Sequence, residues 1–202
     1  MFFKNYLYIL LILVAGTSFL QAGHSKVKWL ILKGATLNVA GSTNINTFSC
    51  IIPDYSSPDT LVCYRNSGRD QPIAMTGGVS LPIFSFDCHN NMMTADLRKT
   101  LKAKEFPKLN IHFISLRKFP ELKTIPENIT GMVYIELAGI SKKFEVNYTI
   151  SMDEQKVIHL VGKRSVNFSD FHITPPRKLG GIIQTKDKLD VEFHLRLKDI
   201  LL

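Results

Sequence analysis

The chain has 202 residues, three cysteines and a formal net charge of +8. It shows no internal repeat, low-complexity run or interdomain linker after residue 23, which excludes an array of domains, and three cysteines allow at most one internal disulfide. The basic balance leaves nucleic acid, an anionic membrane surface or an acidic ligand as classes of partner.

Residues 1–22 carry Lys4, an apolar run from Tyr6 to Val14 and the small residue Ala22, the layout of a secretory signal peptide. Even stretched to Leu20 the run holds about 15 residues, short of the ~20 a membrane-crossing helix needs. Cleavage is expected after Ala22, with Leu20 as a less usual −3 residue, and no cysteine follows the run to carry a lipoprotein anchor. The mature chain, residues 23–202, is then a soluble periplasmic or secreted protein of charge +7, the single lysine of the leader being lost. Export makes nucleic acid the least fitting partner and leaves transient contact with an envelope membrane open. The remaining lysines and arginines are scattered, as on a solvated face.

Short alternating segments follow one another between turn residues. Val27 to Leu32 runs to Lys33-Gly34, and Leu37 and Val39 alternate with polar residues before Gly41. Phe48, Cys50 and Ile52 alternate with Thr47 and Ser49, with a turn expected at Pro53-Asp54. Leu61 to Tyr64 is a weaker strand, and Arg65 to Gln71 reads as a polar loop. Leu81 to Ser115 then reads as strand, short amphipathic helix, strand. Thr94 is the expected helix cap, Met93, Leu97 and Leu101 share a face, and Pro107 pushes the residue before it out of the α region. Leu109, Ile111 and Phe113 alternate with Asn110 and His112. Three further strands are expected around Val133 to Leu137, Phe144 to Ile150 and Ile158 to Leu160. The last is the clearest: Leu189, Val191, Phe193, Leu195 and Leu197 alternate with charged residues and His194.

Roughly eight such runs make an antiparallel sandwich or barrel, and periodicity does not choose between them. A closed eight-stranded barrel leaves no edges and can just hold one small ligand. The cysteines also allow two readings. Cys50 and Cys63 lie symmetrically about Tyr55-Ser56-Ser57-Pro58, so a hairpin there would set them opposite each other. Cys50 and Cys88 each end a strand in the same way, Phe48-Ser49-Cys50 and Phe86-Asp87-Cys88. Spacing alone decides neither.

No catalytic motif is present: no nucleophile elbow, no His-Glu-x-x-His, no phosphate-cradling glycine loop and no Cys-x-x-Cys. Cys88-His89 has no second metal ligand at a diagnostic spacing, and Gly68-Arg69-Asp70 reads as solvated loop. Neither catalysis nor a cofactor nor a metal is expected.

Several segments, in this order, resemble the YceI-like family of lipocalin-like envelope proteins that hold an isoprenoid or other lipid chain. The front is Trp29-x-Ile31-x-Lys33-Gly34 followed by Gly41-Ser42-Thr43-Asn44-Ile45-Asn46-Thr47-Phe48. The centre is Asp96-Leu97, then Phe106-Pro107-Lys108-Leu109-Asn110-Ile111-His112-Phe113. Gly131-Met132-Val133 through Gly139-Ile140-Ser141-Lys142 is similar to the family's Gly-x-Leu … Gly-x-Thr-Lys hairpin, with Ser141 for the common Thr. Asp170-Phe171-His172-Ile173 resembles its Asp-Phe-Gly-Ile segment, with His172 for Gly.

The resemblance implies an all-β fold, an eight-stranded antiparallel lipocalin-like barrel with one short helix at about residues 94–104 lying against one end. It favours the Cys50–Cys88 pair, leaving Cys63 a buried free thiol. It also implies a long-chain lipid or polyisoprenoid as partner, held in an apolar tunnel. Candidate lining residues are Phe48, Phe86, Ile111, Phe113, Val133, Ile135, Phe144, Tyr148, Phe168, Phe171, Val191 and Phe193. Thirteen phenylalanines, many on inward parities, are what such an interior would use. Lys102, Lys104, Lys108, Arg177 and Lys178 are candidates for an anionic head group. The competing reading is a secreted interaction protein with a solid core, for which Tyr55, Tyr64 and Tyr134 are the available surface aromatics.

Overall fold

The computed structural model describes residues 25–65 and 71–200. The leader 1–22, His24 and the Gly68-Arg69-Asp70 segment lie outside the described residues. The strands are β1 (Ser25–Ile31), β2 (Ala35–Thr43), β3 (Thr47–Tyr55), β4 (Thr60–Arg65), β5 (Ile73–Pro82), β6 (Lys108–Leu116), β7 (Glu127–Leu137), β8 (Ile140–Met152), β9 (Ile158–Asn167), β10 (Arg177–Lys178) and β11 (Ile183–Ile200), with one α-helix among the described residues, α1 (Asn91–Thr100).

Eight strands, in the order β1-β4-β5-β6-β7-β8-β9-β11, form an antiparallel barrel that closes by pairing β11 with β1. The long strand β11 makes this possible. Its C-terminal part pairs with β1, Ile31 opposite Leu197, while its N-terminal half pairs with β2, Thr36 opposite His194. β1 and β2 therefore follow each other along one edge of β11, and the β2–β3 hairpin extends the wall past the closed ring. This extended end, where β6 starts and β7 finishes, carries α1 and forms a mouth. At the opposite end Phe119 packs on the fully buried Trp29, ring centres 6.1 Å apart.

The predicted alternation is the observed alternation of burial. In β8, Phe144, Val146, Tyr148 and Ile150 are buried; in β11, Leu189, Phe193, Leu195 and Leu197 are. Three local expectations are corrected. The strand expected just before the helix ends at Pro82, followed by a 3₁₀ turn at Ile83–Ser85 and a single bridge from Asp87 to Ile51. Its real extent, from Ile73, is hidden by Gly77-Gly78. β3 continues through Pro53 to Tyr55, because the register with β2 slips between Leu37–Ile52 and Ala35–Tyr55. Pro53 sits in that irregularity, where a missing N–H costs no ladder bond.

The helix runs earlier than expected. Asn90, not Thr94, caps it, its side-chain oxygen accepting from Met93 N at 3.0 Å. It ends well before Pro107, because Lys102 takes a left-handed conformation (φ 52°). Ala103 N then donates to Arg98 O and Lys102 N to Lys99 O, the paired bonds of a Schellman stop.

Candidate functional site

The mouth is built around α1, which is tied down at both its approach and its start. The Cys50–Cys88 disulfide joins β3 to the segment leading into the helix. Thr94 is buried inside the helix, and its hydroxyl accepts from Cys88 N at 3.0 Å. The Arg98 guanidinium donates to the carbonyls of Phe84 (2.6 Å) and Phe86 (3.1 Å), holding the turn that precedes the helix. With its sulfur in the disulfide, Cys88 has no thiolate to offer a metal beside His89.

Cys63 is the buried free thiol, raised to about 12 by burial and, secondarily, by nearby Asp199. The symmetric hairpin that would face it with Cys50 does not form. Cys63 lies opposite Val27 and Met75 in the closed wall, whereas Cys50 lies opposite Val39 in the extension.

Between α1, the tip of the β2–β3 hairpin and the 176–185 segment lies a mainly apolar cavity of about 430 Å³. Met92, Met93, Asp96, Leu97 and Thr100 form its helix side. Phe48, Cys50 and Phe168 form its floor and wall, and Pro176, Lys178, Leu179 and Ile183 face the helix across it. Below lies a smaller, wholly apolar cavity of about 60 Å³, lined among others by Phe86, Leu101, Ile111, Ile135, Phe171 and Val191. Leu97 lines both cavities and so stands between them.

Deeper still the barrel is filled. Phe113, Tyr148 and Phe193 pack as a trio with ring centres 6.0–6.4 Å apart. Gly162 makes room for it, since a Cβ there would lie 2.3 Å from the Phe193 ring. The Tyr148 hydroxyl is buried and has no hydrogen-bond partner among the described residues, and burial pushes its pKa well above the ordinary tyrosine value.

Of the twelve predicted lining residues, Phe48 and Phe168 line the mouth cavity, and Phe86, Ile111, Ile135, Phe171 and Val191 line the inner one. Phe113, Val133, Phe144, Tyr148 and Phe193 are buried but line neither. Substituting Trp for Phe113 or Phe193 is therefore expected to overpack the trio and cost about 1–3 kcal/mol in denaturant melts. Wild-type stability in both variants would show open space here instead.

Among the basic candidates, Lys178 lies in the cavity wall, paired with Asp96 at 2.5 Å. Arg177 is exposed next to it in β10. Lys102, Lys104 and Lys108 are exposed at the helix exit and the start of β6, outside the cavity lining. Met93, Leu97, Leu179 and Ile183 were not among the sequence candidates. The apolar face of Met93, Leu97 and Leu101 was the available signal for the first two, and it reads equally as ordinary packing. On the outer wall His159 bonds His194 (2.9 Å) and Asp153 (3.1 Å). Burial, then the charges of His159 and Arg196, hold the His194 imidazole below its ordinary pKa.

No family model and no curated protein matches the sequence. Solved structures do match the fold. A polyisoprenoid-binding domain from Saccharophagus degradans, implicated in plant cell wall breakdown, aligns with a TM-score of 0.57 over 87% of this chain and 99% of that one, at 8% identity. Burkholderia cenocepacia BcnA aligns at 0.53 over 80% and 95%, at 13% identity. A Campylobacter jejuni YceI protein aligns at 0.42 over 63% and 73%, at 17% identity. The first two share this chain's barrel architecture across almost their whole length.

Proposed function

We propose that the protein is an exported, non-catalytic carrier of a single long apolar chain of the polyisoprenoid or fatty-acid kind. The observation that carries this reading is the mouth cavity of about 430 Å³, mainly apolar, at the end of the barrel that carries α1, above an interior packed by the rings of Phe113, Tyr148 and Phe193. Its size falls within the ~300–1,000 Å³ usual for small-ligand sites. The shared fold with a domain named for polyisoprenoid binding supports the same class of ligand. In this reading the chain lies along α1 with its end directed beneath Leu97 into the inner cavity. Each buried methylene contributes ~0.8 kcal/mol, so about ten give ~8 kcal/mol, comparable with the ~4–15 kcal/mol cost of association.

The test is Leu97→Trp. Space on both sides of Leu97 accommodates the indole, so the fold should survive while affinity for a fluorescent long-chain fatty acid falls about tenfold or more, roughly 1.4 kcal/mol. Unchanged affinity would sink the site assignment. Native mass spectrometry after gentle extraction should show a bound lipid. Protein that neither retains nor takes up one would leave the surface-interaction reading in its place. Export carries its own expectation: the intact mass of the recovered protein should begin at Gly23, and retention of residues 1–22 would refute it. Among the described residues no helix is long and apolar enough to cross a membrane.

A further inference from the structure

We propose that the rim of the mouth docks on an anionic lipid bilayer, so that the cavity opens directly against hydrocarbon. This rests on the reading of that cavity as a lipid-chain site. Four large apolar side chains surround the opening with little cover: Ile45, Met92, Leu179 and Ile182 are between 64% and 73% exposed. They come from three separate segments. Ile45 tips the β2–β3 turn, between the cavity-lining residues Thr43 and Asn46, Met92 opens α1, and Leu179 and Ile182 lie in the segment between β10 and β11. The segments are held together, because the Asn44 side chain donates to Ile182 O (2.9 Å) and accepts from Gln184 N (3.0 Å). An apolar rim of this kind on a water-exposed protein marks an interaction surface.

Charge selects the partner. The segments carrying the rim, residues 43–49, 89–100 and 174–190, hold six cations, Arg98, Lys99, Arg177, Lys178, Lys186 and Lys188, against three acids, Asp96, Asp187 and Asp190, of which Asp96 pairs with Lys178 and Asp190 with Lys188. A second copy placed rim to rim would bring these cations together. An anionic bilayer instead offers phosphates to the cations and hydrocarbon to the apolar tips, as membrane-surface segments require. Separate protruding tips around an opening also suit insertion between head groups better than a flat protein face.

The test uses the protein recovered after export, with a polarity-sensitive fluorophore on Ile182→Cys or, as a far-end control, on Ile125→Cys, which is 77% exposed. Cys63 is buried, with its thiol held up at about 12, and stays unlabelled. Vesicles of phosphatidylethanolamine with phosphatidylglycerol should shift the Ile182→Cys emission to shorter wavelength and leave Ile125→Cys unchanged. Adding Ile45→Asp should weaken vesicle affinity about tenfold without altering melts or fatty-acid binding. No shift at position 182, an equal shift at 125, or equal affinity for pure phosphatidylcholine would overturn the proposal. So would a shift at 182 on raising protein concentration without vesicles, which would make the rim a contact between copies. Docking by a protein that binds no chain would overturn the carrier reading, and with it the role given to the cavity here, while leaving the rim a membrane-docking surface; chain binding without docking would overturn the docking and leave the carrier reading.

Discussion

Replacing both Cys50 and Cys88 with alanine is expected to lower stability by about 2–4 kcal/mol and to weaken chain binding beyond what the loss of folded protein explains. The disulfide closes a loop across a sequence separation of 38, for which chain-entropy reasoning gives ~4 kcal/mol as the upper figure. Its position adds a local effect. It ties β3, in the hairpin extension, to the residues leading into α1, beside the Ile51–Asp87 bridge that also joins the two. Without it the helix keeps its Asn90 cap and the Arg98 bonds but loses its covalent link to the opposite wall of the cavity. Denaturant melts with and without reductant measure the first effect. Hydrogen exchange on residues 91–100 measures the second. Equal melts in both conditions would show that the barrel holds the helix unaided.

Gly77→Ala is expected to cost about 3–4 kcal/mol, a large share of the ~5–15 kcal/mol an ordinary domain has, from two additive causes. Gly77 sits at φ +100°, a backbone conformation that side chains rarely adopt, and its Cβ would lie 2.1 Å from the Thr60 carbonyl oxygen of the β4 backbone. Nothing flexible can yield, so β4 and β5 would have to separate where Leu61 lies opposite Gly77. A Cβ on Gly78 next to it would lie 2.3 Å from the Ile111 carbonyl oxygen of β6, so β5 is clasped from both sides at an irregularity in its pairing. Gly180 is the contrast. It also has positive φ but no heavy atom within 4 Å of its Cβ position, so Gly180→Ala should cost about 1 kcal/mol from backbone strain alone. Urea melts of the two variants side by side distinguish the causes. Similar losses would show that conformation, not the close approach of the strands, dominates at Gly77.

These residues also mark where the sequence is legible. The alternation from Leu189 to Leu197 reads directly as a strand with one buried face, because side-chain direction in a strand is a local property of the pleat. β5 escapes the same reading because Gly77 and Gly78, needed for close contact with two neighbours, have no side chains to carry the pattern. The helix end is likewise obscured: the Pro107 signal is real, but the left-handed turn at Lys102 acts first.

The amino-acid order by itself determined the all-β class, the helix that follows Cys88, the inward parity of the main strands other than β5 and the residues able to line an interior. Each of these depends on neighbours in the chain. Tertiary structure alone decided which inward residues meet open space. Phe171 and Phe193 are equally apolar and equally inward, yet Phe171 borders a cavity while Phe193 meets the rings of Phe113 and Tyr148 over Gly162. That difference is set by register, which places a glycine of β9 opposite Phe193 of β11. It is also set by the closure of β11 on β1 at one end and its divergence onto β2 at the other, which leaves the mouth wide enough for a cavity beneath α1.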